Sequence, residues 1–319
     1  MLLLSDQRDE PDQPDQPESA AVKILECVPN ISEGQDPDKI ASIAEEVRKH
    51  PGVKLLDVSS DKDHNRSVFT FLGEPPEVQE AALSFAMKAI ELIDMRGHRG
   101  GHPRMGAVDV VPFVPIQGVE MKEAVDVARH FGKELGRRGV TVYFYEEAAT
   151  SPGRRELPHI RKGEYEGLRE KLMDPEWRPD EGPHAFNPKS GATVVGARFP
   201  LVAYNINLKT KDLALAKEIA RKVRFKDGGF PSVRAMGVSI EDQGLVQVSM
   251  NLTNYQVTGI PAVYEFTKEE AGKRGVEVEE SEVIGLIPMT VLEDIVRHYV
   301  KCHRFSIRQV IEQRILEFE

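Results

Sequence analysis

The same order of strand-like and helix-like segments occurs twice along the sequence, and this repetition constrains the fold more than any other feature. The first copy begins at residue 22 and the second at residue 199, and each reads strand, helix, strand, strand, helix, strand. The helical segments carry apolar residues three or four positions apart, and the strand segments are short apolar runs. Because both kinds of element must bury an apolar face, each copy predicts an open sheet with helices packed on it.

In the first copy, Asp36-Pro37 is typical of a helix N-cap followed by proline in the first turn. A second helix is predicted from Glu77 to Asp94, and a further helix and strand are predicted over Lys122–Arg137 and Val140–Tyr145. The prolines of the last strand predict an edge position or an early end. The strand-like segments are VKILECVPN, VKLLDVSS, RSVFTFLG and AVDVVPFVP.

In the second copy, Thr210 is the predicted cap of the first helix, and the second helix is predicted from Thr258 to Arg274. Two more helices are expected at the end, over about Thr290–Cys302 and Ser306–Glu317. The strand-like segments are FPLVAYNINL, VRAMGVSIE, LVQVSMNLT and VEVEESEVIGLIP. We therefore predict an α/β fold, an α+β sandwich of two similar ferredoxin-like β-α-β-β-α-β halves.

Changes of composition predict where these halves begin and end. Residues 1–21 are acidic and proline-rich and are predicted to be a disordered leader. Residues 22–196 form the predicted first half with a linker, residues 197–303 the second half, and residues 304–319 a C-terminal helix. The linker from residue 146 to 196 is rich in proline, glycine and charge, with a short helix predicted near Glu164–Leu172. Its basic residues make it a candidate wall for an anionic ligand between the halves: Arg154, Arg155, Arg161, Lys162 and Lys189.

Charge and cysteine content exclude several classes of protein. The formal net charge is −10, of which the first twenty residues contribute −5, so binding to nucleic acid by charge alone is not expected. No apolar run approaches the roughly 20 residues that span a bilayer, so no membrane association is predicted. Cys27 and Cys302 lie far apart and form no CxxC pair, which indicates a reducing, cytoplasmic location.

The segment RGHRGGHPRMG, residues 96–106, concentrates two histidines, three arginines and four glycines in eleven residues. A solvated basic loop is the simplest interpretation. A metal site is disfavoured, because Gly100-Gly101 and Pro103 interrupt the helix that the spacing of His98 and His102 would need. A phosphate site is also disfavoured, because neither a GxxxxGK[ST] nor a strand-linked GxGxxG motif is present.

Acid–base catalysis with carboxylate recognition accounts for the whole segment. Histidine can accept a proton in one step and return it in the next. Arginine presents a planar fork that fits a carboxylate, and Arg66, Arg96, Arg99 and Arg104 are the candidates. Glycines let the loop approach a ligand closely. The segment therefore indicates group transfer on a small anionic substrate.

Several longer motifs resemble the glutamate formimidoyltransferase family. They are CVPNISEG at 27–34, DHNRSVFTFLG at 63–73, LIDM at 92–95, GHPRMGAVDVVPFVP at 101–115, GEYEGL at 163–168, GPHAFNPKSGATVVGAR at 182–198 and NINL at 205–208. The resemblance runs from about residue 23 to residue 301. Animal members continue into a cyclodeaminase domain, and a single-function form is expected here.

The resemblance implies transfer of a formimino group from N-formimino-L-glutamate to N5 of tetrahydrofolate, in histidine breakdown and one-carbon metabolism. It implies tetrahydrofolate as co-substrate without a metal, a folate cleft or tunnel between two α/β subdomains, and a homodimer. By the HPRMG motif, His102 is the implied catalytic histidine, with Arg104 beside it. The implied folate-contacting loop consists of Gly182, Pro183, His184, Ala185, Phe186, Asn187, Pro188, Lys189, Ser190 and Gly191.

Three further residues are candidates for substrate binding. Arg66 is a candidate partner for a substrate carboxylate, and Asn205 and Asn207 share one face of a strand that could meet the folate ring. One departure from the resemblance concerns the supporting acid. Animal members carry an acid two residues after the aspartate that matches Asp57, and Ser59 stands there in this sequence. Asp61 and Asp63 are nearby candidates to replace it.

Two alternatives remain open on the sequence. The chain could be a non-catalytic folate- or nucleotide-binding module built from paired ferredoxin-like halves, or a related folate enzyme that transfers a formyl group. Turnover of formimino and formyl donors separates these alternatives.

Overall fold

The computed structural model describes residues 22–316 and shows a mixed α/β architecture with two sheets. The α/β class predicted from the sequence is thereby confirmed. The predicted leader, residues 1–21, and the last three residues of the predicted C-terminal helix lie outside the described residues.

The first half contains a seven-stranded sheet with helices packed on it. Its elements up to residue 146 are β1 (Ile24–Cys27), β2 (Asn30–Ile31), α1 (Pro37–Arg48), β3 (Val53–Asp61), β4 (Arg66–Gly73), α2 (Pro75–Leu92), β5 (Val108–Gln117), α3 (Met121–Arg137) and β6 (Thr141–Glu146). Strands β1 and β2 lie between β4 and β5, and β3 pairs with the outer side of β4, all antiparallel.

Helix α1 begins where the sequence predicted. The Asp36 Oδ1 atom accepts the backbone N–H groups of Asp38 and Lys39, both at 3.1 Å, and Pro37 occupies the first turn. This cap satisfies two donors that have no partner inside the helix, which typically contributes about 1 kcal/mol.

Strand β5 lies in the middle of the sheet, so the predicted edge position was wrong. It pairs with β1 and β2 on one side and with a later strand on the other. Proline has no backbone N–H to donate, and the two prolines of β5 lie where the pairing with the neighbouring strand is irregular. Pro112 lies opposite the break between β1 and β2, where its carbonyl accepts the Val28 N–H at 3.2 Å. Pro115 pairs with Leu25 beside a shift of register, so both missing donors occur at irregular positions.

The segment after β6 is not wholly a linker. After the short helices α4 (Leu157–Arg161) and α5 (Leu168–Lys171), it forms β7 (Ala192–Ala197), which inserts between β5 and β6 as a parallel strand. All six residues of β7 are buried. Alternate strand residues face opposite layers: Val195 joins the core under the helices, and Val194 joins a second core. In this second core, residues of 147–191, here called the cover segment, pack on the other face of the sheet.

The second half contains a four-stranded antiparallel sheet. Its elements are β8 (Val202–Leu208), α6 (Leu213–Val223), β9 (Val233–Ile240), β10 (Leu245–Leu252), α7 (Ile260–Gly272), β11 (Val278–Ile284), α8 (Met289–Tyr299) and α9 (Ile311–Leu316). Asp212 caps α6 in place of the predicted Thr210, whose hydroxyl instead accepts the N–H of Asp212 at 3.1 Å.

The two halves share one strand order. In the first half β1 lies between β5 and β4, with β3 outermost, and in the second half β8 lies between β11 and β10, with β9 outermost. Among residues 22–316, no helix has both the length and the apolar character needed to cross a membrane.

The core of the first half contains a cluster of aromatic rings that meet edge to face or at a tilt, which gives a test of its energetics. Phe85 is fully buried, and its ring lies 4.9 Å from Phe69 and 6.1 Å from Phe71 between centroids. We expect Phe85→Ala to lower the free energy of unfolding by about 3–5 kcal/mol, because it removes buried area and leaves a cavity. Urea denaturation followed by circular dichroism measures this change.

The matched control is Phe225→Ala, because the Phe225 side chain is 63% exposed. It should leave the unfolding midpoint nearly unchanged. Equal losses for the two variants would show that the aromatic cluster contributes nothing beyond ordinary surface contacts.

Candidate active site

The candidate site forms where the turn between β3 and β4 docks against the loop between α2 and β5, residues 93–107, here called the histidine loop. A side chain at Gly100 would place its Cβ 2.3 Å from the carbonyl oxygen of His64, so only glycine permits this approach. The backbone N–H of Gly101 donates to the Asp63 carbonyl at 3.1 Å. The predicted glycine-rich loop therefore approaches another part of the chain closely.

Asn65 fixes this docking through both its backbone and its side chain. Its φ of 47° lies in the left-handed region, which asparagine tolerates better than most residues. Its side-chain amide donates to the Arg99 carbonyl at 2.8 Å and accepts the Gly34 N–H at 2.9 Å. Its own carbonyl accepts the Nε2 proton of His98 at 3.0 Å. The next residue along the chain, Arg66, is thereby brought to His102.

His102 is half-buried, and its ring accepts a hydrogen bond from an arginine. The Arg66 Nη1 atom donates to His102 Nε2 at 2.9 Å, so this nitrogen carries no proton. Burial, followed by the positive charges of Arg66 and Arg161, lowers the pKa of His102 to about 3. The imidazole is therefore neutral near pH 7 and has the form of a general base.

Two guanidinium groups surround His102, and they differ in their partners. Arg161 pairs with the carboxylate of Asp109, which is 1% exposed and also accepts the Met105 N–H at 2.8 Å. Arg66 forms no ion pair with a carboxylate within residues 22–316, and its buried Nε atom has no hydrogen-bond acceptor. Burial, and secondly the nearby Arg161, lower the pKa of Arg66, against the opposing effects of Asp61 and Asp109. A half-buried cation with an unpaired donor is a suitable position for a ligand anion.

Asp61 and His64 form a second group at the same place. The Asp61 Oδ2 atom lies 2.8 Å from His64 Nδ1, and Oδ1 accepts the backbone N–H groups of Asp63 and His64. Hydrogen bonds from His64 are the main cause that lowers the pKa of Asp61. The rings of His64 and His102 meet edge to face with their centroids 6.3 Å apart.

Arg104, a predicted catalytic residue, is buried and already holds partners from its own chain. Its guanidinium contacts Glu164 at 2.8 Å and Glu166 at 2.5 Å. Its Nε donates to His98 Nδ1 at 3.2 Å, while His98 Nε2 binds the Asn65 carbonyl. Three hydrogen bonds from this one guanidinium to Glu164 and Glu166 thus connect the histidine loop to the cover segment. The role of Arg104 in catalysis remains a prediction.

The predicted folate-contacting loop, 182–191, lies against the end of the histidine loop. Its backbone binds the N–H of Met95 through the Lys189 carbonyl and that of Ala107 through the Ser190 carbonyl. Gly191 has a φ of +65°, and a Cβ there would lie 2.3 Å from the Met105 carbonyl oxygen. Phe186 packs on Tyr165 with ring centroids 5.5 Å apart. The structure therefore brings this loop beside the HPRMG motif.

Asn205 and Asn207 lie in the other sheet, on strand β8. Asn207 is fully buried; its side-chain carbonyl accepts a hydrogen bond from Gln247 at 2.8 Å, and its amide donates to Glu280 at 3.3 Å. Within the described residues, neither asparagine makes a hydrogen bond to His102, Arg66 or the 182–191 loop. The structure therefore does not bring these two residues into the site around His102.

A cavity of about 240 Å³ lies between the two halves. Arg234 of β9 crosses beside it to pair with Glu146 of β6 at 3.1 Å. The lining residues of the cavity on the side of β6 and β7 are Tyr145, Glu146, Glu147, Arg155, Leu157, Arg198 and Phe199. Those on the side of β9 and β10 are Leu201, Ser232, Arg234, Thr253 and Asn254. The basic residues of the cover segment, which were predicted to form one wall for an anion, therefore lie at two places. Arg155 lines this cavity, whereas Arg161 acts on His102.

Asp109, Glu164 and Glu166 are site residues that the sequence analysis did not identify. Asp109 interrupts the apolar run AVDVVPFVP, and an acid in a central strand is a signal for a buried ion pair. Glu164 and Glu166 lie about sixty residues from Arg104, and no local pattern in the sequence connects them.

Comparison with known proteins gives one consistent result. Residues 24–198 match the model of the formiminotransferase domain, N-terminal subdomain, and residues 203–317 match that of the formiminotransferase domain. The chain is 43% identical over 296 residues to glutamate formimidoyltransferase of Streptococcus pyogenes serotype M1, covering 92% of this chain and 99% of that protein. It is 42% identical to the protein of that name from Thermoplasma acidophilum, covering 92% and 98%. It is 47% identical to formimidoyltransferase-cyclodeaminase of Sus scrofa, covering 90% of this chain and 54% of that protein.

The electrostatics of the site generate a prediction for Arg66→Met. Methionine has a similar length but neither the charge nor the Nη1 donor, so the pKa of His102 should rise. It should stay below the ordinary value of about 6.5, because burial and Arg161 still lower it. Titration of the His102 ring followed by NMR, assigned with a His102→Gln sample, measures the shift.

Arg129→Met is the matched control, because Arg129 is exposed on α3. It should not move the titration. An unchanged or lower pKa of His102 in Arg66→Met would contradict the role given to Arg66.

Proposed function

The chain belongs to the formiminotransferase family, and from this premise we propose that it is a glutamate formimidoyltransferase. It transfers the formimino group of N-formimino-L-glutamate to N5 of tetrahydrofolate, as part of histidine breakdown and one-carbon metabolism. The observation that carries the proposal is the pair of His102 and Arg66, a neutral imidazole bound to a half-buried guanidinium that forms no ion pair with a carboxylate.

The proposed reaction needs a base and an anion site at one place. The folate amine attacks the formimino carbon, after which a proton must leave that amine and another must reach the departing glutamate nitrogen. His102 is neutral and half-buried, so it can accept the first proton. Arg66 and the neighbouring Arg161 supply the positive charge that a donor with two carboxylates requires.

Binding of the donor also activates the base. In the free protein, Nε2 of His102 is occupied by Arg66, and both arginines hold its pKa low. A substrate carboxylate that takes the free Nε of Arg66 draws the guanidinium toward itself and neutralises its charge. His102 Nε2 is then released, and its pKa rises toward the working range of a general base.

Arg104 acts in this proposal as a positioning residue. Its guanidinium is saturated by Glu164, Glu166 and His98, so it holds the histidine loop against the cover segment. These contacts favour positioning over the predicted recognition of a substrate carboxylate. Lysine cannot reproduce this fork, so Arg104→Lys should still disturb the loop.

Tetrahydrofolate is proposed to bind as co-substrate in a cleft between two ferredoxin-like halves. Two observations support this placement: the shared strand order and the position of the 182–191 loop beside the HPRMG motif. The cavity between the halves is lined by neither the 182–191 loop nor His102 and therefore does not support it. Asn205, half-buried on the second sheet, is proposed to meet the folate, whereas the fully buried Asn207 supports that strand through Gln247 and Glu280. A cytoplasmic homodimer without a metal completes the proposal.

The proposed proton transfer by His102 predicts opposite effects for His102→Ala and His98→Ala, one on kcat and the other on stability. His102→Ala should lower kcat by about 10²–10⁴-fold, the usual contribution of a positioned acid–base group, with tetrahydrofolate affinity retained. His98→Ala should cost far less in kcat and more in melting temperature, because His98 is 7% exposed and holds Arg104. Steady-state kinetics with both substrates and thermal melts measure the two effects.

N-formyl-L-glutamate serves as the control donor in these assays. Transfer from the formyl donor alone would make the protein a formyl-transferring enzyme, and folate binding without any transfer would make it a binding module. An active His102→Ala with an inactive His98→Ala would contradict the assignment of the base.

The location of the folate site gives a separate prediction. Hydrogen exchange with bound tetrahydrofolate should show protection in residues 101–110, in residues 182–191 and in β8, because the proposed cleft is lined by both halves. Mass spectrometry of exchanged peptides measures this, with the peptide 121–137 of α3 as reference. Protection confined to the first half would refute the cleft.

A further inference from the structure

We propose that His64, oriented by Asp61, is a second acid–base residue of this site, and that it protonates the glutamate nitrogen as that nitrogen leaves. The inference rests on the proposed function and adds the group that delivers the second proton.

The geometry of Asp61 and His64 is that of an oriented imidazole. The Asp61 carboxylate accepts the backbone N–H groups of Asp63 at 2.9 Å and of His64 at 2.8 Å, which fix the carboxylate in the turn. Its other oxygen lies 2.8 Å from His64 Nδ1. A carboxylate on Nδ1 keeps a proton there and leaves Nε2 as the nitrogen that exchanges a proton with a ligand. Within residues 22–316, Nε2 of His64 has no hydrogen-bond partner.

The two histidines occupy opposite environments at one place. Their ring centroids are 6.3 Å apart, so one small substrate group can contact both rings. His102 is half-buried beside two guanidinium groups, whereas the His64 side chain is 53% exposed beside a carboxylate. A pair of titratable groups whose surroundings differ in this way is typical of a divided acid and base.

Four carboxylates near His98 and His102 are already engaged. Asp109 binds Arg161 and the Met105 N–H, and Glu164 and Glu166 bind Arg104. Glu33, an acid near His98, accepts the N–H groups of Gln35 and Asp36 and pairs with Lys39. His64 lies beside His102, and its exposed ring can both reach a ligand and deliver a proton.

Together the two histidines account for both proton transfers of the reaction. The lone pair of the folate N5 forms a bond to the amidinium carbon, and the C=N π pair moves to the terminal nitrogen. His102 takes the proton from N5, and His64 gives its Nε2 proton to the glutamate nitrogen. The terminal nitrogen then re-forms the C=N bond as the bond from carbon to the glutamate nitrogen breaks. The proton on His102 leaves to solvent and His64 takes one from solvent, which restores both residues.

The experiment compares two donors that differ in the basicity of the leaving amine. N-formimino-L-glutamate releases an aliphatic amine, whereas N-formimino-4-aminobenzoate keeps a carboxylate but releases an aromatic amine, a much weaker base that departs with little protonation. His64→Gln should lower kcat on the first donor by about 10²-fold, with KM for tetrahydrofolate and melting temperature unchanged. On the second donor the loss should shrink to a small factor, whereas His102→Ala should be impaired on both.

Asp61→Asn tests whether Asp61 acts through His64. It should lower kcat less than His64→Gln, and the double variant should be no worse than His64→Gln alone, because residues that act as a unit are not additive. This cycle uses N-formimino-L-glutamate and decides the question even where the aromatic donor is a poor substrate. His130→Gln, on the exposed face of α3, is the matched control and should match the wild type.

Three results would overturn the inference. A wild-type kcat for His64→Gln would exclude an acid–base role for His64. An equal loss of kcat on both donors would also exclude it, because that result indicates only a structural effect of the substitution. If the losses of kcat for Asp61→Asn and His64→Gln add up in the double variant, Asp61 does not act through His64. Absence of transfer by both the wild type and His130→Gln is a different result, because it refutes the proposed function and the inference with it.

Discussion

Asn65 joins three separate parts of the chain, and the geometry of the candidate site depends on that junction. Its left-handed backbone turns the chain out of β3, and its amide binds Gly34 and the Arg99 carbonyl. Each of these hydrogen bonds is buried or half-buried, where a lost partner costs about 1–3 kcal/mol. Because Arg66 is the next residue, the same turn sets the distance from its guanidinium to His102. A site residue is thus positioned by backbone contacts that themselves perform no chemistry.

The distribution of charge at the site explains how this place could bind an anion. Arg104 is buried and Arg161 half-buried, each paired with a carboxylate, and such pairs compensate the cost of removing charge from water. Arg66 is half-buried and forms no ion pair within residues 22–316; its guanidinium binds the neutral ring of His102, and Asp61 and Asp109 act on it only from a distance. The charge of Arg66 is therefore only partly compensated, and a carboxylate of the substrate could neutralise it. Binding energy and activation of the base would then come from one event.

Much of the fold could be predicted from the sequence, because local periodicity reports which face of an element is buried. The order of the main elements and the Asp36 cap follow from patterns within about ten residues, and the repetition of that order predicted the two sheets that the structure contains. The position of β5 could not be predicted this way, because it depends on a break in β1–β2 that accommodates Pro112. Strand β7 was likewise hidden in a charged segment, because a short buried parallel strand resembles a loop with apolar residues.

The sequence by itself was enough to predict the type of chemistry, acid–base catalysis on an anion, from His102 in a glycine-rich loop with arginines. The tertiary structure decided how those residues divide the work. Arg104, two residues after His102 in the sequence, turns away to Glu164 and Glu166, whereas Arg66, thirty-six residues before it, binds the ring. Neither outcome is encoded by spacing, because the partners of a long charged side chain are chosen by which segments pack together. The candidate groups can be identified from the sequence, and the packing of the β3–β4 turn on the histidine loop determines which of them come into contact.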